Sequence, residues 1–452
     1  MNSIPQSYRS HFKQTFRLAL PVMLSQVGHI MVGIIDSIMV GQLGTEPLAA
    51  SAFANSIFHV FLMFGIGVSY GITPLVAQAD GEGDGNKITR LLRNGIVMCS
   101  VTGLMLFGLM LITKYFLPVM GQPGIVVELG TPYYLIIAAS IIPLMFFQNF
   151  KQFSEGMSVT KQIMYITIAA NLVNVGLNYL LIYGKLGFPE LGLNGAGWAT
   201  LIARIGMAVV ICIFVFKAVK FKSFRDGFNI FKVKATLIKP MLKIGIPSGT
   251  QFMFEVGAFT VAAILIGTMG AKELAAHQIA ISLVALSYMM ATGVSAAATV
   301  RVGNQFGKGD GPNLLKAGYA SFIISIIVMA SCAIIYVSFS GFFPTLYINE
   351  PEVIKMASGL IIVAGFFQLS DGIQVVGLGA LRGMSDVKMP TVITLIAYWV
   401  LAIPISYLFG FVLDMGPAGV WYGLSVGLTI AAVCLFIRFR MLSIRFIRKN
   451  NA

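Results

Sequence analysis

Residues 247–310 read PSGTQFMFEVGAFTVAAILIGTMGAKELAAHQIAISLVALSYMMATGVSAAATVRVGNQFGKGD. Residues 21–84 form an earlier copy of this stretch, shifted by 226 positions without a gap, and 18 of the 64 aligned residues are identical. The identities include Pro21 with Pro247, the Gly-Val-Ser triplets at 67–69 and 293–295, and a Gly-x-Gly-Asp turn at 81–84 and 307–310. An internal duplication therefore organises the chain, and Glu255 lies within an apolar run of its second copy.

The composition places the chain among polytopic membrane proteins. It has 452 residues, of which 57% are hydrophobic and 11% charged, against about 25% charged residues in a typical soluble domain. The net charge of +14 does not indicate nucleic acid, because the basic residues lie in short loops between apolar runs. The four cysteines each stand alone in an apolar run, which predicts neither disulfides nor metal thiolates: Cys99, Cys212, Cys332 and Cys434. No cleavable signal is expected.

Twelve apolar runs are long enough to be membrane-spanning helices, which need about 20 residues each. This predicts an all-α membrane protein whose twelve helices form two pseudo-symmetric six-helix bundles. The predicted spans are 18–40, 48–78, 92–117, 126–150, 163–184, 194–216, 242–270, 274–304, 317–343, 354–380, 388–411 and 416–437.

The distribution of basic residues predicts the orientation of these spans. With the N-terminus inside, 26 Lys and Arg residues fall on the inner side, and the outer loops hold only Lys114, Lys185, Lys272 and Lys355. Such asymmetry is typical of cytoplasmic loops, so we expect both termini in the cytoplasm. The long basic connection, to which Arg225 contributes, divides the chain into an N-terminal lobe (1–216), a linker (217–241) and a C-terminal lobe (242–452). The lobes would be parallel repeats with a substrate path between them near the midplane.

Three acidic residues lie deep in the predicted spans: Asp36, Glu255 and Asp371. An ionised carboxylate at that depth costs about 2.5–3.5 kcal/mol on insertion scales. Each is therefore either part of a cation or proton site, or a neutral carboxyl group hydrogen bonded to a neighbouring helix. Glu255 and Asp371 belong to the same half and could share one monovalent cation, with oxygen atoms of Ser370 and Gln374 nearby.

In the repeat alignment Glu255 matches His29, and Asp36 matches Ala262. The two acids therefore stand seven residues apart on equivalent helices, which is two helical turns along one face. We interpret the halves as duplicated in shape and diverged in chemistry.

Further polar residues occupy spans of the first half. Asn174 and Asn178 are four residues apart and share a helical face. That face either meets Asp36 or forms hydrogen bonds between helices. Arg204, in the sixth span, is expected to pair with a buried acid or with helix carbonyls. His29 and His59 are interpreted as hydrogen-bonded structural histidines.

The sequence does not favour several functions that are typical of soluble proteins. The glycine-rich loop 81–85 follows no strand and precedes no Lys-Ser/Thr pair, so it does not match a phosphate loop. The sequence has no recognisable ATPase module, which would make any uphill transport depend on an ion gradient. It also has no Ser/His/Asp or metal constellation, so we do not expect an enzyme.

Against this background, the whole chain resembles the multidrug and toxic compound extrusion (MATE) family, in particular its NorM branch. The resemblance is carried by Asp36 in GIIDSIMVGQLG, Glu255 in QFMFEVGAF, Gln278 in AAHQIA, and Asp371 upstream of GALRGMSDVKMP, together with the paired Gly-Val-Ser stretches.

The resemblance implies a V-shaped, alternating-access antiporter in a bacterial inner membrane, surrounded by lipids and expected to be monomeric. It would export cationic drugs in exchange for Na+ or H+, with no other cofactor. Glu255 and Asp371 correspond to a C-lobe cation site that would take Na+, and Asp36, Asn174 and Asn178 to an N-lobe site. The drug-contact positions implied are Gln278, Phe259, Ser56 and Glu350.

The chain departs from its relatives at two of these sites. Members of the family often carry an acid at the position of Asn178, and some carry Tyr at the position of Phe367. The competing hypothesis is a flippase for lipid-linked sugars of the same superfamily. It ranks lower because a pyrophosphate headgroup favours a cationic groove, whereas the deep charges here are acidic with the exception of Arg204.

Overall fold

The computed structural model describes residues 7–222 and 232–451. These residues form helices and connecting turns without any strand, and they include twelve helices long and apolar enough to cross a membrane. This confirms the predicted number of spans and the all-α class. The helices are α1 (Tyr8–Gly41), α2 (Thr45–Glu82), α3 (Gly85–Val119), α4 (Gly124–Gly156), α5 (Lys161–Tyr183), α6 (Gly192–Lys217), α7 (Thr236–Met269), α8 (Ala271–Gly307), α9 (Gly311–Ser338), α10 (Pro351–Gly383), α11 (Lys388–Val412) and α12 (Gly416–Asn450).

The chain divides into two compact units. The N-unit is Val27–Gly249, and the C-unit combines Met1–Gln26 with Thr250–Ala452. These limits differ from the lobes 1–216 and 242–452 that the central basic loop suggested. The physical reason is packing: Ala19 and Met23 of α1 lie in one hydrophobic cluster with Val294 of α8, and Met241 of α7 lies in the core of the N-unit.

The duplicated sequence produces duplicated turns. Gly83 and Gly309 both have positive φ, 74° and 72°, a conformation that costs glycine little. The following residues, Asp84 and Asp310, are helix N-caps whose carboxylates accept hydrogen bonds from the backbone N–H of Lys87 (2.8 Å) and of Asn313 (3.1 Å). The glycine-rich loop at 81–85 and its copy are thus helix-starting turns.

A second pair of turns extends the repeat beyond residues 84 and 310. Ser158 and Ser385 share a φ of 59°, and they end the equivalent helices α4 and α10. Their separation is 227 residues, so one residue has been inserted between the two parts of the repeat. Residues 155–158 read Glu-Gly-Met-Ser and residues 382–385 read Arg-Gly-Met-Ser, so the two turns are similar in sequence as well as in backbone geometry.

Glycine allows close helix packing at equivalent places in both units. A Cβ atom at Gly67 would lie 2.3 Å from Cα of Gly249 in the N-unit, and one at Gly293 would lie 2.5 Å from Cγ of Met23 in the C-unit. Position 249 is the repeat equivalent of position 23. The first part of α1 therefore packs on α8 in the C-unit, and the first part of α7 makes the matching contact with α2 in the N-unit.

The described ends of the predicted linker pack onto the N-unit, and residues 223–231, including Arg225, lie outside the described residues. Phe221 is buried against Phe153, with ring centroids 5.5 Å apart. Lys220 Nζ donates to the carbonyl of Met157 (2.8 Å), and burial lowers the pKa of Lys220 while Asp80 opposes that shift. On the other side, the N–H of Lys234 donates to Asn94 Oδ1 (2.9 Å).

Candidate functional site: buried carboxylates and amides

The C-unit brings two buried carboxylates into one polar cluster. Glu255 of α7 and Asp371 of α10 are 3% and 4% exposed. Oε1 of Glu255 accepts a hydrogen bond from Gln374 Nε2 at 3.3 Å. Oε2 of Glu255 and Oδ2 of Asp371 are buried and have no hydrogen-bond partner among the described residues. Neither carboxylate belongs to an ion pair within the described part of the chain, so each retains an oxygen available to a ligand.

A tyrosine that sequence reasoning missed completes this cluster. Tyr398 is fully buried, and its hydroxyl donates to Oε1 of Gln374 at 2.9 Å. The Gln374 amide thereby has its oxygen occupied and its nitrogen directed at Glu255. Tyr398 lies in the π-helical stretch Ile396–Ala402 of α11, and such stretches are frequent at functional sites. Tyr288 of α8 also lies beside Glu255.

The remaining sequence signal for Tyr398 was weak. A tyrosine within a span, six residues before Pro404, is compatible with simple packing, and nothing in the linear order joins it to Gln374. Only the fold brings α7, α10 and α11 together at this point. The ring of Phe259, a predicted drug-contact residue, lies against Tyr398 with centroids 6.2 Å apart.

One expectation about α10 changes in the structure. Ser370 does not join the carboxylates, because its hydroxyl bonds with that of Thr429 at 2.9 Å. Phe367 packs on Trp421, with centroids 5.6 Å apart. In addition, the buried Oε1 of Gln368 has no partner among the described residues, whereas its Nε2 donates to Ser287 Oγ (2.8 Å).

In the N-unit, amide side chains engage the carboxylate of Asp36. Asn178 of α5 donates from Nδ2 to Oδ1 of Asp36 on α1. Asn174 Oδ1 lies 3.5 Å from the same Nδ2, and Asn174 Nδ2 donates to Thr200 Oγ1 (3.4 Å). The amide face was expected either to meet Asp36 or to form hydrogen bonds between helices. In the structure it does both, because Asn178 meets Asp36 and Asn174 bonds to the neighbouring helix α6. Asp36 itself is only partly buried.

Among the described residues, Arg204 forms no ion pair with an acid and no hydrogen bond with a helix carbonyl. Its guanidinium donates from Nη1 to Ser140 Oγ (2.5 Å) and lies over the ring of Phe58, 4.9 Å from the centroid. A hydroxyl and an aromatic face are sufficient because the weakly hydrated guanidinium stacks well on rings. His59 is hydrogen bonded to the carbonyl of Asn55 (2.9 Å), whereas His29 is exposed.

The other predicted drug-contact residues are exposed and dispersed. Gln278 lies on α8, and Ser56 on α2 turns its hydroxyl to the carbonyl of Ala52 (2.8 Å). Glu350, before α10, forms an ion pair with Lys272 at 2.9 Å. Gln278, Phe259 and Glu350 belong to the C-unit and Ser56 to the N-unit.

The donor set of the C-unit cluster fits a hard cation. It consists of carboxylate, amide and phenol oxygens, which alkali and alkaline-earth cations prefer to thiols. No group of three or more His, Cys, Asp or Glu side chains that could hold a metal occurs in residues 7–222 and 232–451. The cysteines are all unpaired.

A duplicated bundle of twelve apolar helices with buried carboxylates defines a polytopic membrane transporter. A family model described as MatE matches residues 21–180 and 247–408, two segments that again start 226 positions apart. The chain belongs to the MatE family.

Relatives match over nearly the full length. The "Probable multidrug resistance protein NorM" of Bradyrhizobium diazoefficiens is 32% identical over 451 residues, covering 99% of this chain and 97% of that protein. The "Multidrug resistance protein MdtK" of Yersinia pseudotuberculosis is 32% identical over 452 residues, with 97% of each chain covered. These relatives carry the names of multidrug resistance proteins, in agreement with the expectation that the chain is not an enzyme.

Solved structures share the fold. A multidrug resistance MATE family transporter in an outward-facing conformation matches with a TM-score of 0.88 at 20% identity, covering 97% of both chains. The eukaryotic MATE transporter AtDTX14 matches with a TM-score of 0.87 at 20% identity, covering 98% of this chain and 99% of that one.

Proposed function

We propose that this protein is a secondary active multidrug exporter that moves cationic amphipathic drugs out of the cell in exchange for Na+. The observation that carries the proposal is the pair Glu255 and Asp371, buried in one unit with an unpartnered oxygen on each. Buried ionised carboxylates without cationic partners are costly. A bound Na+ would offset one of the two negative charges and attract the other when it enters, and the cost would return when it leaves, which is what an exchanger requires.

Proton coupling is the alternative for the same site. Protonation of one carboxyl group would remove one of the two buried charges, and the hydroxyl formed would donate to the remaining carboxylate. Na+ is preferred because the phenol oxygen of Tyr398 lies in the cluster, and the amide oxygen of Gln368, three residues before Asp371, has no partner among the described residues. Neutral oxygens of this kind serve as cation ligands.

The drug class rests on the relatives and on one contact. Proteins about a third identical over the full chain are named multidrug resistance proteins. Phe259 lies against Tyr398, so an aromatic face available to a flat cationic drug adjoins the proposed ion site. Gln278, Ser56 and Glu350 remain proposed drug contacts, and for Glu350 a cationic drug would compete with Lys272.

The N-unit site and the setting are further parts of the proposal. Asp36 with Asn178 and Asn174 would hold a second cation or a proton. The chain would lie in the bacterial inner membrane as a monomer among lipids, with both termini in the cytoplasm, as the basic loops indicate.

Transport by reconstituted protein tests the coupling ion. Efflux of ethidium, a cationic amphipathic dye, would be measured in proteoliposomes under a Na+ gradient without a pH gradient, and under the reverse condition. We expect the Na+ gradient to drive efflux. Efflux driven only by the pH gradient would replace Na+ with H+, and efflux insensitive to both would refute ion exchange.

A lipid assay separates the flippase hypothesis from drug export. The basic residue that would favour it, Arg204, is already engaged by Ser140 and Phe58. Scrambling of a labelled lipid-linked sugar by the same proteoliposomes, with no ethidium efflux, would favour the flippase.

A further inference from the structure

A buried polar face on α4 has no part in the sites described above. Gln148, Gln152 and Glu155 recur at intervals of four and three residues, and Asn149 lies beside them, so all four project from neighbouring positions of one helix. They are 5%, 2%, 4% and 0% exposed. Amide side chains inside a membrane protein normally bond across to another helix, and most of these do not.

Helices α2 and α3 pack against this face. Thr73, which follows the break in α2 at residues 70–72, donates from Oγ1 to Oε1 of Gln152 (2.6 Å). The amide of Asn149 lies against α3 at Gly95, where a Cβ atom would stand 2.3 Å from Oδ1. Gly95 therefore leaves the space that this amide occupies.

Four polar atoms on this face have no hydrogen-bond partner among the described residues. They are Oε1 of Gln148, both Oδ1 and Nδ2 of Asn149, and Nε2 of Gln152. Exchanging the amide oxygen and nitrogen of Asn149 would change nothing, because both atoms lack partners. Buried polar atoms carry their full desolvation penalty unless something bonds to them, so the face is complete only with a ligand.

The mixture of donors and acceptors selects the ligand. A cation would be repelled by the two N–H₂ groups, and an anion would meet two amide oxygens and the Glu155 carboxyl group. Water both donates and accepts, and buried polar pockets normally hold it. We propose that this face binds a cluster of internal water molecules between α2, α3 and α4 of the N-unit. Gln148, Asn149 and Gln152 are close enough along the helix to share bridging waters.

The repeat provides a dry counterpart in the C-unit. With the offset of 227 residues, Gln148, Asn149 and Gln152 correspond to Val375, Val376 and Gly379 of α10. There the threonine equivalent to Thr73, Thr299, donates directly to the backbone carbonyl of Gly379 (2.9 Å). Two valines and a glycine leave no side-chain polar atoms at these three positions, whereas Glu155 corresponds to the buried Arg382. The amides that would hold the water cluster are therefore a feature of the N-unit copy of this face.

Apolar substitutions distinguish a hydrated face from a dry one by the sign of the stability change. In a hydrated face, Gln148→Leu or Asn149→Leu removes bonds to water and leaves the neighbouring amides without partners. We expect the Tm in detergent to fall by about 2–4 °C for each substitution. In a dry face the same changes would remove unpartnered polar atoms, and Tm would stay or rise, which would overturn the proposal.

The matched control is Val375→Gln in the C-unit, which introduces a polar group where no water is expected and should lower Tm. Density maps of the wild-type protein supply a measurement that does not depend on variants folding. Ordered water within hydrogen-bonding distance of the Asn149 amide supports the proposal. An empty site in a map that resolves other internal waters contradicts it.

Discussion

The two units of this protein have the same turns but different buried polar groups. Asp84 and Asp310 cap equivalent helices after glycines with φ of 74° and 72°, and both serines at 158 and 385 have a φ of 59°. These positions are restricted by backbone geometry, where few residues can substitute. Inside the bundles the restriction is only that buried polar groups be satisfied, and there the two units have diverged.

The two units differ in where their buried polar groups lie, in how many there are, and in what these groups bond to. The C-unit carries two carboxylates with unpartnered oxygens, and its polar residues occupy α7, α10 and α11. In the N-unit, the carboxylate of Asp36 is already bonded by Asn178, and α4 carries an amide-rich face next to the buried Glu155. The same fold therefore carries buried carboxylates with unpartnered oxygens in one copy and an amide-rich face in the other.

The largest expected effect separates the two units by cation binding. Glu255→Gln or Asp371→Asn should weaken Na+ binding at least tenfold, the change that about 1.4 kcal/mol produces, because each removes a charged ligand. Asp36→Asn should weaken it less, since Asn178 already engages that carboxylate. Binding of ²²Na+ to purified protein measures this. The exposed acid Glu190 provides a neutral control as Glu190→Gln, and an equal loss from Asp36→Asn would remove the distinction between the units.

Replacing the glycines at close helix contacts by alanine should destabilise both units equally. Gly67→Ala and Gly293→Ala each place a methyl group within 2.6 Å of backbone atoms, and such overpacking costs about 1–3 kcal/mol. We expect both variants to lower Tm by several degrees in thermal unfolding. Gly108→Ala, where nothing lies within 4 Å, should be neutral or slightly stabilising. A loss in one unit only would show that the matching contacts are not equivalent.

Tyr398→Phe should have an intermediate effect confined to the C-unit. It removes the hydroxyl that holds the Gln374 oxygen while retaining the ring that packs on Phe259. A hydrogen bond of this kind contributes about 0.5–1.5 kcal/mol, so Na+ affinity should fall a few-fold, with Tm nearly unchanged. Phe259→Leu serves as the complementary variant, expected to weaken drug binding more than Na+ binding. Unchanged Na+ affinity in Tyr398→Phe would exclude Tyr398 from the site.

The smallest expected effect compares the two helix caps. Replacing an N-cap aspartate by alanine costs about 1 kcal/mol. Asp310→Ala should destabilise the protein more than Asp84→Ala does. The reason is that Asp310 is buried and its carboxylate also accepts a hydrogen bond from Asn313 Nδ2 at 2.7 Å. Asp84 is 41% exposed and lies 3.9 Å from Arg90. Urea or thermal unfolding of both variants would measure the order, and the reverse order would show that burial does not strengthen the cap.

Some relations within the units were predictable because they follow local periodicity. Asn174 and Asn178 share a face of an α-helix because they are four residues apart. Whether that face meets Asp36 stayed open until the structure had Asn178 at Asp36 and Asn174 at Thr200. The relay from Tyr398 through Gln374 to Glu255 was not predictable, because 24 and 119 residues separate its members. Arg204 was misjudged since a charge-based argument overlooks hydroxyl and ring partners.

By itself the sequence determined the number of helices, the duplication and the positions of deep carboxylates. Hydropathy and repeated residues are properties of the linear chain, and a membrane helix must satisfy its own backbone hydrogen bonds. Only the tertiary structure decided which polar atoms remain without partners, and where the units divide. Those outcomes depend on packing between helices distant in the chain, as when Met23 meets Gly293 and Gly249 meets Gly67.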